Sequence, residues 1–253
     1  MNWIGFQTLL WKEIKRFLRV FGQTVISPVI TTLLYLIVFG FSLGNHLPQV
    51  ENVTYLDFLI PGLVMLIIIN NSFMNTTSSI FISKLQGTIV DLLVSPISHG
   101  AVITAYVLAA VIRALLCGCA VVLAAWLVSD VQLLHPLEVL GYSVMVATAF
   151  ALLGIGVAIV SDKFEQLNIV LTFFITPLTF LGGVFYSIRV LPEPWQTVSR
   201  FNPILYMVDG LRHGFVGVSD VSHWRGLFIV LGSCAVLIVW DYWLFAKSRK
   251  LRP

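Results

Sequence analysis

The chain has 253 residues, of which 58% are hydrophobic and 11% charged, and its mean hydropathy is +0.94. Soluble domains carry about 25% charged residues, so a soluble enzyme or binding module is excluded. Several apolar runs exceed the roughly 18 residues that mark a spanning helix, and the net charge of +3 matters less than its distribution.

Residues 2–21 come first. Trp3, Phe6, Leu10, Ile14, Phe17 and Phe21 recur at steps of three or four and form one helical face, with Lys12, Lys15, Arg16 and Arg19 around the rest. A basic amphipathic helix of this kind is expected to lie in the membrane surface with its cations toward phosphates; the alternative is a cytosolic extension of the first span. A cleaved signal peptide is not expected, because the basic stretch is long and no A-x-A site follows the apolar run. The chain therefore divides into an amphipathic helix at 1–22 and a membrane domain at 23–253.

An all-α membrane fold with six spans is predicted, near 24–43, 56–79, 101–128, 137–160, 167–188 and 226–245. Pro28 falls near the start of the first span, where a missing N–H does little harm. Cys117, Cys119 and Cys234 all sit in apolar runs, and Cys117 and Cys119 point to different helix faces. They read as small apolar residues rather than a metal or redox site.

The loops near 44–55 and 129–136 contain no Lys or Arg. Cations concentrate in the first helix, in Lys84 and Lys163 of two short loops, and in the tail KSRKLRP. Arg189, Arg200, Arg212 and Arg225 are the exceptions, all in the long connection before the last span. The positive-inside rule then puts both termini in the cytoplasm of a multi-pass cell-membrane protein.

Catalytic motifs are missing. None of the six lysines follows a glycine, so there is no G-x-x-x-x-G-K-[ST] loop, and neither H-E-x-x-H nor G-x-S-x-G occurs. A protein of this kind that moves a solute uphill draws its energy from an ion gradient or from a separate ATPase. Gradient coupling usually needs ionisable residues in mid-span, and Arg113 is the clearly deep one.

Two stretches carry a more specific signal. The first, Lys84–Gly100, reads KLQGTIVDLLVSPISHG. Ile89, Leu92, Leu93 and Pro96 form an apolar face, Lys84, Gln86, Asp91 and His99 are polar, and Pro96 stops the helix. Periodicity alone fits a helix seated in a partner's groove and a loop helix resting on the membrane equally well. The second is 168–217, a span that passes Gly182-Gly183, breaks at Leu191-Pro192-Glu193-Pro194 and becomes amphipathic through Trp195, Val198, Phe201, Ile204 and Leu205. Non-helical backbone at such a break must lie at an interface or inside protein, which suggests an outer hairpin dipping back into the membrane.

Gly87-Thr88-Ile89-x-Asp91-Leu92-Leu93-Val94-Ser95-Pro96 resembles the G-T-[LI]-E-x-L-L-V-[ST]-P loop of ABC-2 type permeases, with Asp91 in place of the commoner Glu. Gly182-Gly183-Val184-Phe185-Tyr186, Leu191-Pro192 and Asn202-Pro203-Ile204-x-Tyr206-x-Val208-Asp209-Gly210-x-Arg212 resemble that family's late signature. The resemblance implies an exporter half with six spans that forms a dimer, here read as a homodimer. It implies two copies of a separate ABC ATPase docked beneath, with ATP and Mg on that partner, no cofactor on this chain, and no nucleic-acid partner. Lys84, Gly87, Thr88, Asp91, Leu92 and Pro96 would belong to the helix that meets the ATPase. Residues 1–22 would be the interface helix, and Pro192, Asn202, Pro203, Tyr206, Asp209 and Arg212 would shape the outer hairpin. The resemblance leaves drugs, lipids, glycans and haem-related compounds open as substrates; the lack of a large soluble domain and of aromatic-rich glycan platforms favours an amphiphilic, lipid-like or drug-like one. An ion-coupled carrier and a membrane assembly factor that transports nothing are the rival readings.

Polar residues inside spans face protein or water rather than lipid. Asn71, Asn75 and Ser78 share a face of span two, and Asn168, Thr172, Thr176, Thr179 and Gly183 share a face of span five. Both stripes fit either helix packing or the lining of a translocation path; Phe73, Phe173, Phe174 and Phe180 would add an apolar wall. Arg113 needs a partner, with Asp162 and Glu165 as candidates for a structural ion pair. Asp209 and Arg212, three apart, are expected to pair along one helix face.

Overall fold

The computed structural model describes residues 3–41, 53–129 and 131–247. The loop at 44–55 and the basic tail fall almost wholly outside them. Among the described residues the structure is helical, without a β-strand. Helix α1 spans Trp3–Leu18 and α2 spans Gly22–Gly40. The long α3 (Tyr55–Leu85), the short α4 (Ile89–Val94) and α5 (His99–Ala125) follow. Then come α6 (Pro136–Val160) and α7 (Phe164–Leu181). Helices α8 (Glu193–Arg200), α9 (Pro203–Val216) and α10 (His223–Lys247) complete the chain.

Among the described residues six helices are long and apolar enough to cross a membrane: α2, α3, α5, α6, α7 and α10. The largest departure from expectation is the end of α7, at Leu181 rather than near 188. Gly183 adopts a left-handed φ of 75°, which breaks the helical run at little steric cost only in glycine. Helix α3 continues six residues beyond the predicted end of its span and carries the chain to α4.

Prolines shape the two peripheral spans in the same way. A proline lacks the N–H donor and its ring clashes with the carbonyl four residues back. Ahead of Pro28 the turns over Gly22–Ile26 widen into π-helix, and ahead of Pro177 those over Val170–Ile175 do so. The Thr24 carbonyl, four residues before Pro28, instead accepts the Cys117 thiol at 3.0 Å. Cys117 and Cys234 are buried, Cys119 is exposed, and all three are unpaired.

The core is the α3–α6 pair. In their most apolar 18-residue stretches 72% of residues are buried, against 22% in α2, 17% in α7 and 22% in α10. Small residues allow the close approach. A Cβ on Gly154 would lie 2.3 Å from Thr76 Oγ1, and the Thr76 hydroxyl donates across the interface to the Ala151 carbonyl at 2.9 Å. Helix α5 packs on α3 and α6, α1 packs on α5, and α9 is wedged among α3, α6 and α10.

Candidate functional site

Helix α4 sits at the end of α3, on a turn that needs Gly87 at φ 73°. Buried Ile89 anchors it, while Leu85 is 66% and Val94 80% exposed. Thr88, Asp91 and Pro96 are exposed and Leu92 is half-buried. The Asp91 carboxylate has no partner among the described residues. Lys84 faces the other way. Its Nζ donates to the Ser161 carbonyl at 2.6 Å and the Ile159 carbonyl at 3.1 Å, and lies 3.7 Å from Asp162. The cation thereby caps the last carbonyls of α6 and ties α3, and α4 with it, to the core.

A polar cluster joins α1, α3 and α5. Glu13 is wholly buried; it accepts Arg16 Nε at 2.9 Å and the Ser79 hydroxyl at 2.7 Å. Arg16 Nη2 also donates to the Asn75 backbone carbonyl at 2.8 Å and to its Oδ1 at 2.9 Å. Arg113 donates to Asn75 Oδ1 through Nη1 and to Asn71 Oδ1 through Nε, both at 3.3 Å. The ion pair expected between Arg113 and Asp162 or Glu165 is therefore corrected. Arg113 lies fourteen residues into α5, about 21 Å from its start at 1.5 Å per residue. Asp162 follows the far end of α6 and pairs with Lys84 instead.

Helix α9 is buried along most of its length. Asn202 fixes its start. Its Oδ1 accepts Ile204 N at 3.0 Å, and its Nδ2 donates to the Leu178 carbonyl of α7 at 2.6 Å. Pro203 follows at the first helical position, where a missing N–H is harmless. The Tyr206 hydroxyl donates to the Arg200 carbonyl at 2.9 Å and steadies the α8–α9 corner. Pro192 is exposed at the head of α8.

The expected clasp between Asp209 and Arg212 is not a direct ion pair. Asp209 accepts Asp220 N at 2.6 Å and Val221 N at 3.3 Å, together with the Ser219 hydroxyl. Arg212 donates to the Gly183 carbonyl at 2.6 Å and stacks 3.7 Å above the Phe58 ring. The turn after α9 offers Asp209 donors nearer than Arg212. Burial pushes the Asp209 carboxyl above its ordinary range despite these bonds. It pulls the Arg212 guanidinium down to about 10, with the charges of Asp209 and Asp220 opposing. Arg212 stays charged at neutral pH and pins the left-handed turn after α7 to α3.

The two polar stripes part company. Asn71 and Asn75 are buried and engaged by the arginines. On α7, Asn168 and Thr172 are exposed, Thr176 is half-buried and Thr179 buried. Thr176 and Thr179 bond only within the helix, to the Leu171 carbonyl at 2.9 Å and the Thr176 carbonyl at 2.6 Å. Phe173 and Phe174 are 70% and 61% exposed beside them, whereas Phe73 is buried.

Sequence reasoning missed two acids. Glu13 was hidden because the apolar face was drawn through Leu10 and Ile14, whereas Phe6, Leu9, Glu13 and Phe17 are the buried set. Asp241 shows that Arg113 is not the only deep ionisable residue. It is fully buried in α10, and neither of its oxygens has a partner among the described residues. The signal was present, since Asp241 interrupts an otherwise apolar stretch, but the stretch still passes as a span.

A sequence profile described as ABC-2 type transporter matches residues 4–216. The chain belongs to the ABC-2 type transporter family. The match runs from α1 through α9, so the amphipathic helix and the α8–α9 hairpin fall inside it. The chain is 37% identical over 254 residues to the inner membrane transport permease YadH of Escherichia coli K12. That alignment covers all of this chain and 98% of the relative. It is 27% identical over 259 residues to nodulation protein J of Rhizobium meliloti, covering all of this chain and 95% of that one. Family and fold together make the chain a multi-pass membrane subunit of a transporter.

Proposed function

We propose that this chain is the permease half of an ATP-driven exporter in the inner membrane, working as a homodimer above two copies of a separate ABC ATPase, with both termini in the cytoplasm. The observation that carries the reading is α4. An exposed acid, Asp91, stands beside exposed Leu85 and Val94 on a mount fixed by Ile89 and Lys84. Exposed apolar groups around an unpaired charge, carried on a rigid lever, suit a groove on a moving partner. ATP and Mg belong to that partner. Its closure pushes α4, and through Lys84 and the α3–α6 pair the push reaches the hairpin that caps the outer side. In the assembled dimer, the exposed stripe of Asn168 and Thr172, with Phe173 and Phe174, faces the path of an amphiphilic substrate.

The test is co-expression and co-purification with an ABC ATPase, sought first among the genes neighbouring that of this chain. A stable complex that hydrolyses ATP is expected. Asp91→Lys should weaken the complex or uncouple hydrolysis from transport while leaving the permease's melting temperature unchanged, because an exposed unpaired side chain changes stability by no more than about 0.5 kcal/mol. An Asp91→Lys complex with normal assembly and coupling would remove α4 from the role. Asp91 is a cleaner probe than Gly87, where the left-handed φ makes any side chain strained.

Asp241 favours a second reading, an ion-coupled carrier, because an unpartnered acid inside a span is a natural proton site. That reading requires transport that collapses with the proton gradient and with Asp241→Asn, and that needs no ATPase.

A further inference from the structure

An open groove of about 430 Å³ runs along the outer face of α1, lined among the described residues by Thr8, Trp11, Lys12, Lys15, Arg16 and Arg19, all exposed except half-buried Arg16. Pockets of roughly 300–1,000 Å³ hold small ligands. Of the groove's six described lining residues four are cations and none is an acid. Glu13, the one acid of α1, is turned into the protein toward Arg16 and Ser79. Cations at i, i+3, i+4 and i+7 repel each other on a helix. Among the described residues, Lys12 and Arg19 have no side-chain partner. Lys15 meets only the Trp11 ring, at 5.5 Å. Arg16 has Nε and Nη2 occupied while Nη1 has no acceptor.

We infer that this groove binds the phosphate of an anionic phospholipid headgroup, with Lys12, Lys15, Arg16 and Arg19 as its donors and Trp11 as its apolar side. The inference rests on the proposed orientation, which puts α1 on the cytoplasmic leaflet. Two observations choose a lipid over a soluble anion. Only residues 19–21 separate α1 from the first span, so Arg19 lies at headgroup level. Trp3, Ile4, Trp11 and Leu18 of the same helix are 57%, 76%, 56% and 43% exposed, which suits acyl chains and has no use for a free phosphate. Arg16 extends the site inward. The guanidinium that would meet the headgroup also holds Asn75, whose Oδ1 is shared with Arg113. An occupied site therefore steadies the junction of α1, α3 and α5.

Native mass spectrometry of the full-length purified chain offered equal phosphatidylglycerol and phosphatidylcholine tests this directly. Preferential retention of phosphatidylglycerol is expected. The triple variant Lys12→Gln, Lys15→Gln, Arg19→Gln should lose that preference roughly tenfold. The charge-matched triple Lys163→Gln, Arg200→Gln, Arg225→Gln should keep it. Millimolar glycerol 3-phosphate should not displace the lipid. Absence of preference in the unaltered chain, equal loss in both triples, or displacement by glycerol 3-phosphate would each overturn the assignment. The last outcome would mark a soluble-anion site. The readout needs neither ATPase nor transport, so it is independent of the α4 experiment.

Discussion

The polar stripe of α3 is closed inside the protomer, and that of α7 lies open on its surface. Both place amide or hydroxyl side chains at helical spacing on apolar spans. The difference is what each helix faces. Helix α3 has neighbours on every side, and two of them, α1 and α5, bring guanidiniums to the same carboxamide. Helix α7 touches little beyond the α9 region and keeps Asn168 and Thr172 outward. A polar group in a span must find a partner somewhere. The carboxamide oxygens of the α3 stripe have found partners within the chain, although Asn75 Nδ2 has none among the described residues, and the exposed part of the α7 stripe needs another copy, a substrate or water.

The sharpest way to break the comparison is at Asn75. Asn75→Leu removes the acceptor shared by Arg16 and Arg113 and should destabilise the detergent-solubilised chain by about 3 kcal/mol. A melting shift worth less than about 1 kcal/mol would mean that the cluster is ornamental. Adding Arg113→Met should recover part of the loss, because the second substitution removes a stranded charge. Glu13→Gln is milder. The Ser79 bond is retained while the ionic contact with Arg16 goes, and about 1.5 kcal/mol is expected, read from the same melting curves. The smallest effect on stability belongs to α7. Thr172→Leu should move stability by less than about 0.5 kcal/mol yet lower transport by the assembled complex, and unchanged transport would argue that the open stripe faces only lipid. With the three natural cysteines replaced by alanine, Thr172→Cys should yield a disulfide-linked dimer under oxidation. Monomer alone with cysteine at 168, 172 or 176 would remove α7 from the contact between the two copies.

Much of the fold was legible in the sequence. The six apolar runs, the stop before Pro96 and the corner around Asn202-Pro203 all follow from side chains acting on their own backbone. The site was legible in part. Periodicity placed Asp91 on the polar face of the short helix, and it is exposed; the turn at Gly87, which leaves Lys84 at the end of α3 rather than in α4, was not read from the motif. The inward turn of Lys84 was not legible either, because its acceptors lie on α6, about 75 residues away in sequence. The Asp209–Arg212 pairing was a sound local expectation, and it lost to donors from the turn after α9.

Hydropathy and backbone chemistry are sums over neighbours along the chain, and the sequence by itself determined whatever depends on them: membrane class, number of spans and the presence of a short helix between the second and third spans. Helical periodicity states which residues share a face. It does not state which way the face turns or at what depth another helix meets it. Only the tertiary structure decided that Arg113 meets Asn71 and Asn75, that Glu13 is buried, and that one polar stripe is enclosed while the other is open. Those outcomes depend on the rotation and vertical offset of separate helices, and both are fixed by close packing at contacts such as Gly154 against Thr76.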